Sequence, residues 1–589
     1  MARCIPAPRQ EETPGVVDEA QHRRSEALTS TVLPSRIGHP ADVTERSLRV
    51  CRTRRNFARC SPAALVLIGT LSALCGCRSE PPPGDTLRLV VQSPPEAIDP
   101  RFATSAVAVR LSHLVFAPLF EIGEDLTPAP LLAERLERKD DVTYEVTLRE
   151  GARFHDGTPV TAEDVVYTYA GLNDADVRSP HAPKFKRLRE VVALDARTVR
   201  FVLDEPFAAF PIELCALGVV SRRHCQGRSE TCRDAPVGAG PFRVLRFDAA
   251  AEALSLAAHE GFVLGAPAIP KVEVRVVRDA TTRLLELIDG KADLVVGDVA
   301  PTDLDVVARY EQLVAQKRPG LGYTYLAMNL RPPGDDDDEE EARTKRALSD
   351  ARVRRAIALS VDVDAIVRTK LRDAARRASG MLPPGHWAKD ASLAPLPYDP
   401  DEARRLLDAA GFEDRGPDGG GRFSLVLSTT TDRLRRSIAL VLAHQLRAVG
   451  IDVRVRVGEW ATLYEDIKRG SFEMFSAKWT PVVEPDLMHW VFHSSSVPGP
   501  NAAGGNRGAY KDPPLDGWIE EGRRLLDPEA RKVPYQRAEA RLLDTLPYVP
   551  LWFEDEIAVH QTSVQGFEMR RTGSFLPLAR ARLVRREAP

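Results

Sequence analysis

The 589-residue sequence has no surplus of either charge: 81 Lys and Arg stand against 84 Asp and Glu, a formal charge of -3. A chain so balanced carries no global field for gripping a phosphate backbone, which excludes a nucleic-acid-binding polyelectrolyte. A membrane-spanning run is also missing. The one stretch that approaches it, residues 63–74, is twelve residues long, and at about 1.5 Å per residue it falls well short of about 30 Å of hydrocarbon. The sequence contains no internal repeat of about 20–50 residues. It also lacks a Gly-x-Ser-x-Gly elbow, a His-Glu-x-x-His pair, a phosphate loop and a Gly-x-Gly-x-x-Gly after a strand, so the familiar enzymatic signatures are absent. What is present is 43% hydrophobic and 28% charged, the composition of a water-soluble globular chain. At about 100–200 residues per domain, its length predicts roughly three to five compact units.

Arg52, Arg54, Arg55 and Arg59 precede the apolar stretch 63–74, the basic region and hydrophobic region of a secretory signal peptide. It ends in Leu74-Cys75-Gly76-Cys77. A large aliphatic three places before Cys77 and a small residue directly before it resemble the lipobox of bacterial lipoproteins, which implies that Cys77 is the lipidated first residue. Cys75 fits worse, because Leu74 would occupy the position that requires a small side chain. Residues 1–50 show no sustained apolar period, and no Met occurs between Met1 and Met328. They are read as a disordered or mis-annotated leader, with translation expected to start near Val50. The exported part then holds 70 basic and 77 acidic residues, a net charge of -7. Its remaining cysteines are Cys215, Cys225 and Cys232. In an oxidising envelope the short Cys225 to Cys232 spacing favours a local disulfide, with Cys215 left as a buried free thiol. A metal site through His224 lacks a fourth ligand and the usual CxxC spacing, and no metal or other cofactor is expected.

After the Pro-rich tether 78–84, residues 86–91 alternate and then turn apolar, as an opening strand does. Residues 144–159 read as two alternating strands around Glu150-Gly151, ending in the turn Asp156-Gly157. That turn accounts for His155 beside Asp156 without catalysis. Thr161 is placed to cap a helix with Asp164 at its third position. A helix opens at Asp399-Pro400 and closes at Gly411, another stops at Gly450, and residues 451–457 alternate as a half-buried strand. Seven consecutive acids, 335–341, predict a solvated loop, since like charges repel. A calcium loop would need a turning Gly and a ligand rhythm that this run lacks. The alternation of helix and strand implies an α/β chain with more than one core.

Several separated blocks resemble the solute-binding proteins of peptide-type ABC importers, family 5, which includes dipeptide-, oligopeptide- and nickel-type members. The blocks are Tyr144 to Val166 with its Phe154-His155-Asp156-Gly157-Thr158-Pro159 core, Pro236 to Phe242, Tyr325 to Asn329, Val353 to Asp362, and Tyr398 to Phe412. The resemblance implies a two-lobe periplasmic-binding-protein fold of the large type, with mixed sheets flanked by helices and two hinge crossings. Lobe I is expected over 85–322 plus 551–589, with an inserted subdomain at about 116–230, and lobe II over 323–550. It also implies a monomeric, extracytoplasmic receptor, lipid-anchored here and without nucleic acid, that hands a peptide or peptide-like solute to ABC permease and ATPase subunits. A periplasmic hydrolase or ligand sensor on the same fold is the alternative. A DNA-binding regulator would need a winged-helix segment of about 90 residues ahead of the binding domain.

In this family the pocket walls are aromatic, and Trp460 and Trp479 match those places, although either would also fit a lobe core. Peptide-binding members put an Asp shortly after the second Trp to pair with the ligand's α-ammonium. This chain reads Trp479-Thr480-Pro481-Val482-Val483-Glu484-Pro485-Asp486, with Val where the acid belongs. Burying an ammonium without an acid is costly, so Glu484, Asp486 or Glu96 would have to substitute. Lys478 adds a cation where a small residue is common, unless it points to solvent. Trp460, Lys478, Trp479, Thr480, Val482, Glu484, Glu96 and Asn329 are therefore the expected ligand-binding residues, for a ligand that is acidic, blocked or uncharged at this end.

Overall fold

The computed structural model describes residues 84–584, apart from 175–176, 228, 249–251, 298, 417–420 and 500–503. The leader, Cys77 and nearly all of the tether lie outside the described residues. The first strand, β1 (Thr86–Val91), buries Leu87 and Leu89 completely. A short hairpin follows, β2 (Phe120–Ile122) with β3 (Pro128–Pro130). A separate antiparallel sheet comes next, made of β4 (Ala133–Arg138), β5 (Thr143–Leu148), β6 (Leu188–Ala193) and β7 (Thr198–Leu203) in the order β4–β5–β7–β6. β8 (Phe242–Asp248), β9 (Ala253–Ala258) and β10 (Lys271–Val276) form a meander that joins β1 through a parallel β1–β10 pair, and β11 (Leu294–Val296) runs parallel on the other side of β1.

The second half adds β12 (Leu313–Met328), β13 (Ala375–Arg377), β14 (Phe423–Thr430), β15 (Ile451–Gly458), β16 (Met474–Trp479) and β17 (Tyr548–Gln561), before the closing pair β18 (Val564–Gln565) and β19 (Arg582–Leu583). One mixed sheet of eleven strands runs β15–β14–β16–β12–β17–β11–β1–β10–β9–β8, with β13 paired to β17. Two large apolar clusters are built wholly from residues 323–553. Three others draw on residues 87–313 and 557–581, with Ala374 the one addition. β12 and β17, paired antiparallel along their length, contribute to both sets.

The helix starts follow the sequence pattern. Asp164 accepts from the Thr161 backbone N–H and hydroxyl at the head of the helix Ala162–Ala170, and Asp399 caps Pro400–Ala409. Cys225 and Cys232 are joined in a disulfide, and Cys215 is a buried free thiol. Two expectations are corrected. The second strand expected after Gly151 is only an isolated bridge between Arg153 and Pro159, because the turn at Asp156 closes too soon to leave a ladder. The acidic run is not all loop: Asp338 caps the helix Glu339–Ser349, whose first turn holds Glu339, Glu340 and Glu341. There the positive end of the helix dipole offsets their mutual repulsion.

The blocks Phe154–Pro159 and Pro236–Phe242 meet. The Gly238 N–H donates to His155 Nδ1 at 3.2 Å, and His155 Nε2 donates to the Gly240 carbonyl at 3.1 Å. Burial pushes the His155 pKa down to about 3, which keeps the ring neutral for this bridge. A Cβ on Gly238 would stand 2.0 Å from the Val115 carbonyl oxygen, and one on Gly240 2.4 Å from that of Leu114. These glycines let the loop lie against the end of the helix Ala106–Val115. Gly238→Ala is therefore expected to cost about 3 kcal/mol or more, read as a lowered thermal midpoint. Gly171→Ala, with open space at its Cβ, should leave the midpoint unchanged.

Candidate functional site

β14 runs parallel to both β15 and β16, so the carboxyl ends of all three open on one edge of the sheet, the place where open α/β sheets bind ligands. Trp479 ends β16, and Trp460 begins the helix Trp460–Arg469 just after β15. Between them runs a continuous ladder of flat groups. Trp460 packs on Tyr464 at 5.2 Å, and the Arg507 guanidinium lies 4.6 Å from the Tyr464 ring and 6.0 Å from the Trp479 ring. Trp479 stacks on Tyr325 at 6.4 Å, and Tyr325 on Tyr548 at 4.3 Å. Trp460 is 49% exposed and forms the outer rung, while Trp479 borders the cluster around Tyr325 and Phe475.

Successive strand residues face opposite sides, so Lys478 sits on the far side of β16 from Trp479. Its ammonium is 2.8 Å from Glu554 Oε2, whose other oxygen accepts from the Thr324 hydroxyl at 2.9 Å and from Trp552 Nε1 at 3.2 Å. Burial alone would raise the Glu554 pKa, but Lys478, Arg435 and the Thr324 hydrogen bond outweigh it and bring it down to about 2. Lys478 is thus a neutralised cation, which corrects the expectation that it adds a charge.

Beyond Trp479 the chain turns through the exposed Thr480 to the fully buried Val482, whose N–H donates to the Leu321 carbonyl at 2.9 Å. Val483, Leu126 and Leu321 make a small apolar cluster with Ile122 and Ile212 against it, so the β2–β3 region, β12 and this loop close on one another. His386 Nε2 donates to the Val483 carbonyl at 3.0 Å, and burial lowers that ring's pKa to about 4. Glu484 pairs with Arg531, and Asp486 Oδ1 with Arg523 Nε at 2.5 Å. Burial pushes the Glu484 carboxyl up to about 7 against the pull of Arg531. Arg523 also lies 5.4 Å over Phe207, and its carbonyl accepts from the Ala208 N–H at 2.9 Å.

Two expected residues stand apart. Glu96 accepts from the backbone N–H and hydroxyl groups of Thr104 and Ser105. Its pKa falls because these bonds outweigh its partial burial. Asn329 donates to the Gly470 and Phe472 carbonyls and accepts from Arg331, so its amide ties strands together. Arg507, Tyr464, Tyr325 and Glu554 escaped the sequence reading. Arg507 lies in a Gly- and Asn-rich loop with no motif, and the other three are interchangeable with ordinary core or surface residues until the sheet is paired.

Residues 127–498 match the family described as bacterial extracellular solute-binding proteins, family 5. The chain belongs to that family. Among curated relatives it is 24% identical over 533 residues to the oligopeptide-binding protein AppA of Bacillus subtilis, covering 86% of this chain and 94% of that one. It is 27% identical over 529 residues to a probable di/tripeptide-binding protein 5 of Pseudomonas aeruginosa, covering 84% and 95%. The fold is similar to NikZ from Campylobacter jejuni in complex with Ni(L-His), with a TM-score of 0.74 and 24% identity over 85% of this chain and 100% of that one. The fold is accordingly the two-lobe periplasmic-binding-protein type.

The Glu554 pKa lies below its ordinary value, so the stability it contributes is full above pH 4.5 and lost as pH falls from 4.5 toward 2. Glu554→Gln should destabilise by on the order of 3 kcal/mol at neutral pH. In paired thermal melts, the gap to the parent should narrow across that acid window.

Proposed function

We propose that the chain is the lipid-anchored, extracytoplasmic receptor of an ABC importer, capturing a peptide or peptide-like solute between lobe I (85–322 with 551–589) and lobe II (323–550). It passes the solute to the permease and does nothing to it chemically. The observation that carries this reading is the pair β12 and β17, which run from one set of cores into the other, beside a ladder of aromatic rings at the open strand ends. A clamp of this kind is closed to the extent that solute binds the closed form better. Family membership and the named binding functions of the relatives support it, and Cys77 is the proposed lipidation site.

The guest lacks a free α-ammonium at the Trp479 end. Val482 stands buried where an acid would be needed. Each substitute carboxylate is already engaged: Glu484 with Arg531, Asp486 with Arg523, and Glu96 with Thr104 and Ser105. Drawing any of them to an ammonium would strand its present partner.

Solution scattering across a solute panel should show the radius of gyration contract with the true guest, whose identity mass spectrometry of denatured protein would give. No contraction with any solute, including the co-purified one, would remove the clamp reading. Calorimetry should find ordinary free dipeptides at least tenfold weaker than their N-acetylated forms. A Cys77→Ser chain should leave the membrane fraction.

A further inference from the structure

Arg507 is 7% exposed, a buried guanidinium that makes no ion pair with a carboxylate among the described residues. Its Nη2 donates to the Tyr464 hydroxyl at 2.8 Å, but its Nε–H has no acceptor among the described residues. The indole Nε1–H of Trp479, the next rung of the ladder, is likewise buried and without an acceptor among the described residues. Two orphaned donors side by side are unusual, because buried N–H groups are almost always satisfied. Arg331 beside them also makes no ion pair among the described residues: its Nη1 donates to the Arg507 carbonyl at 2.7 Å and to Asn329 Oδ1 at 3.0 Å. The Lys478 to Glu554 pair lies on the far face of β16, so it leaves these donors unanswered.

Cation and donors call for an acceptor of opposite charge. A guanidinium presents its N–H groups along the edge of its own plane, the geometry that matches a carboxylate, and that of Arg507 lies 4.6 Å from the Tyr464 ring and 6.0 Å from the Trp479 ring. We infer that Arg507 and Trp479 form an anion-receiving subsite for a carboxylate of the captured solute, with the Tyr464 hydroxyl anchoring the guanidinium. This rests on the cleft reading above and deepens it: at the position where relatives of the peptide type are read to hold an ammonium, this chain selects the opposite charge.

The full chain labelled with ¹⁵N in its tryptophans has six indole N–H signals to resolve, with that of Trp479 assigned through Trp479→Phe. N-acetyl-L-alanine, bearing a free carboxylate, should move the Trp479 signal saturably. Its uncharged methylamide should do so at least tenfold more weakly, and Arg507→Gln and Arg507→Lys should each weaken the carboxylate response tenfold or more. Because the comparison of the two probes uses the unaltered chain, it stands even if a variant fails to fold. Equal responses to the two probes, or a Trp479 signal that answers neither, would overturn the subsite. Scattering separates this from the clamp reading. A carboxylate-dependent Trp479 shift without contraction would keep the subsite and remove the clamp, whereas contraction around a neutral solute with Trp479 silent would do the reverse.

Discussion

The structure depends on two strands being shared by separate cores. β12 and β17 pair from Leu313 opposite Gln561 to Ala327 opposite Tyr548, and the ladder slips between Arg318 and Gly322. At the slip the chain reads Pro319-Gly320-Leu321-Gly322, and a Cβ on Gly320 would lie 2.2 Å from the Glu554 carbonyl oxygen. Only glycine lets the strands approach there, and the irregularity frees the Leu321 carbonyl to receive the Val482 N–H. A second slip follows between Thr324 and Tyr325, and breaks of this kind raise the local twist of the strands that the two sets of cores share. The same few residues carry the loop that follows Trp479, which ties this stretch of β12 to the floor of the candidate site.

Charge at this site is arranged asymmetrically. The acids near Trp479 each hold a basic partner: Glu554 has Lys478, Glu484 has Arg531, and Asp486 has Arg523. Arg507, by contrast, is held by ring faces. Aromatic faces attract a guanidinium, and a guanidinium is weakly hydrated, so burial near Tyr464 and Trp479 is tolerable without a counter-ion. It is not fully compensated, because a ring face accepts no in-plane hydrogen bond. The site therefore retains capacity for an acceptor, while Glu554, Glu484 and Asp486 are already spent on basic partners.

Local features were readable from sequence wherever a single short-range rule decides the outcome. The caps at Thr161 and Asp399, the stops at Gly411 and Gly450, the half-buried strand beginning at Ile451 and the Cys225 to Cys232 bridge are of this kind. The family blocks gave the fold and placed Trp479 at the end of a strand. Side-chain partnership across the sheet was not readable. Lys478 meets Glu554 at a separation of 76 residues, and which face of β16 each residue takes depends on pairing register. Glu96 and Asn329 looked available because their polar atoms were counted without the neighbours that consume them. The acidic run failed for a related reason: repulsion argues for a loop only until a helix N-terminus offers a better place for the charges.

In the proposed clamp, several of the contacts that join lobe I to lobe II are small. Leu126, Leu321 and Val483 meet with Ile122 and Ile212, one backbone hydrogen bond joins Ala208 to Arg523, the Arg523 guanidinium lies over Phe207, and Arg138 donates to the Leu526 carbonyl. A hydrogen bond of that kind contributes about 0.5–1.5 kcal/mol net, and a few partly buried aliphatic contacts add a similar order. Moving a two-state equilibrium from mostly open to mostly closed takes about 5.5 kcal/mol of differential binding. Contacts much stronger than these would shut the clamp without a guest, and none at all would leave the whole difference to the solute. In the proposed clamp a modest latch of this kind would leave closure to the solute, since the Arg507 and Trp479 donors gain their acceptor only when an occupant supplies it.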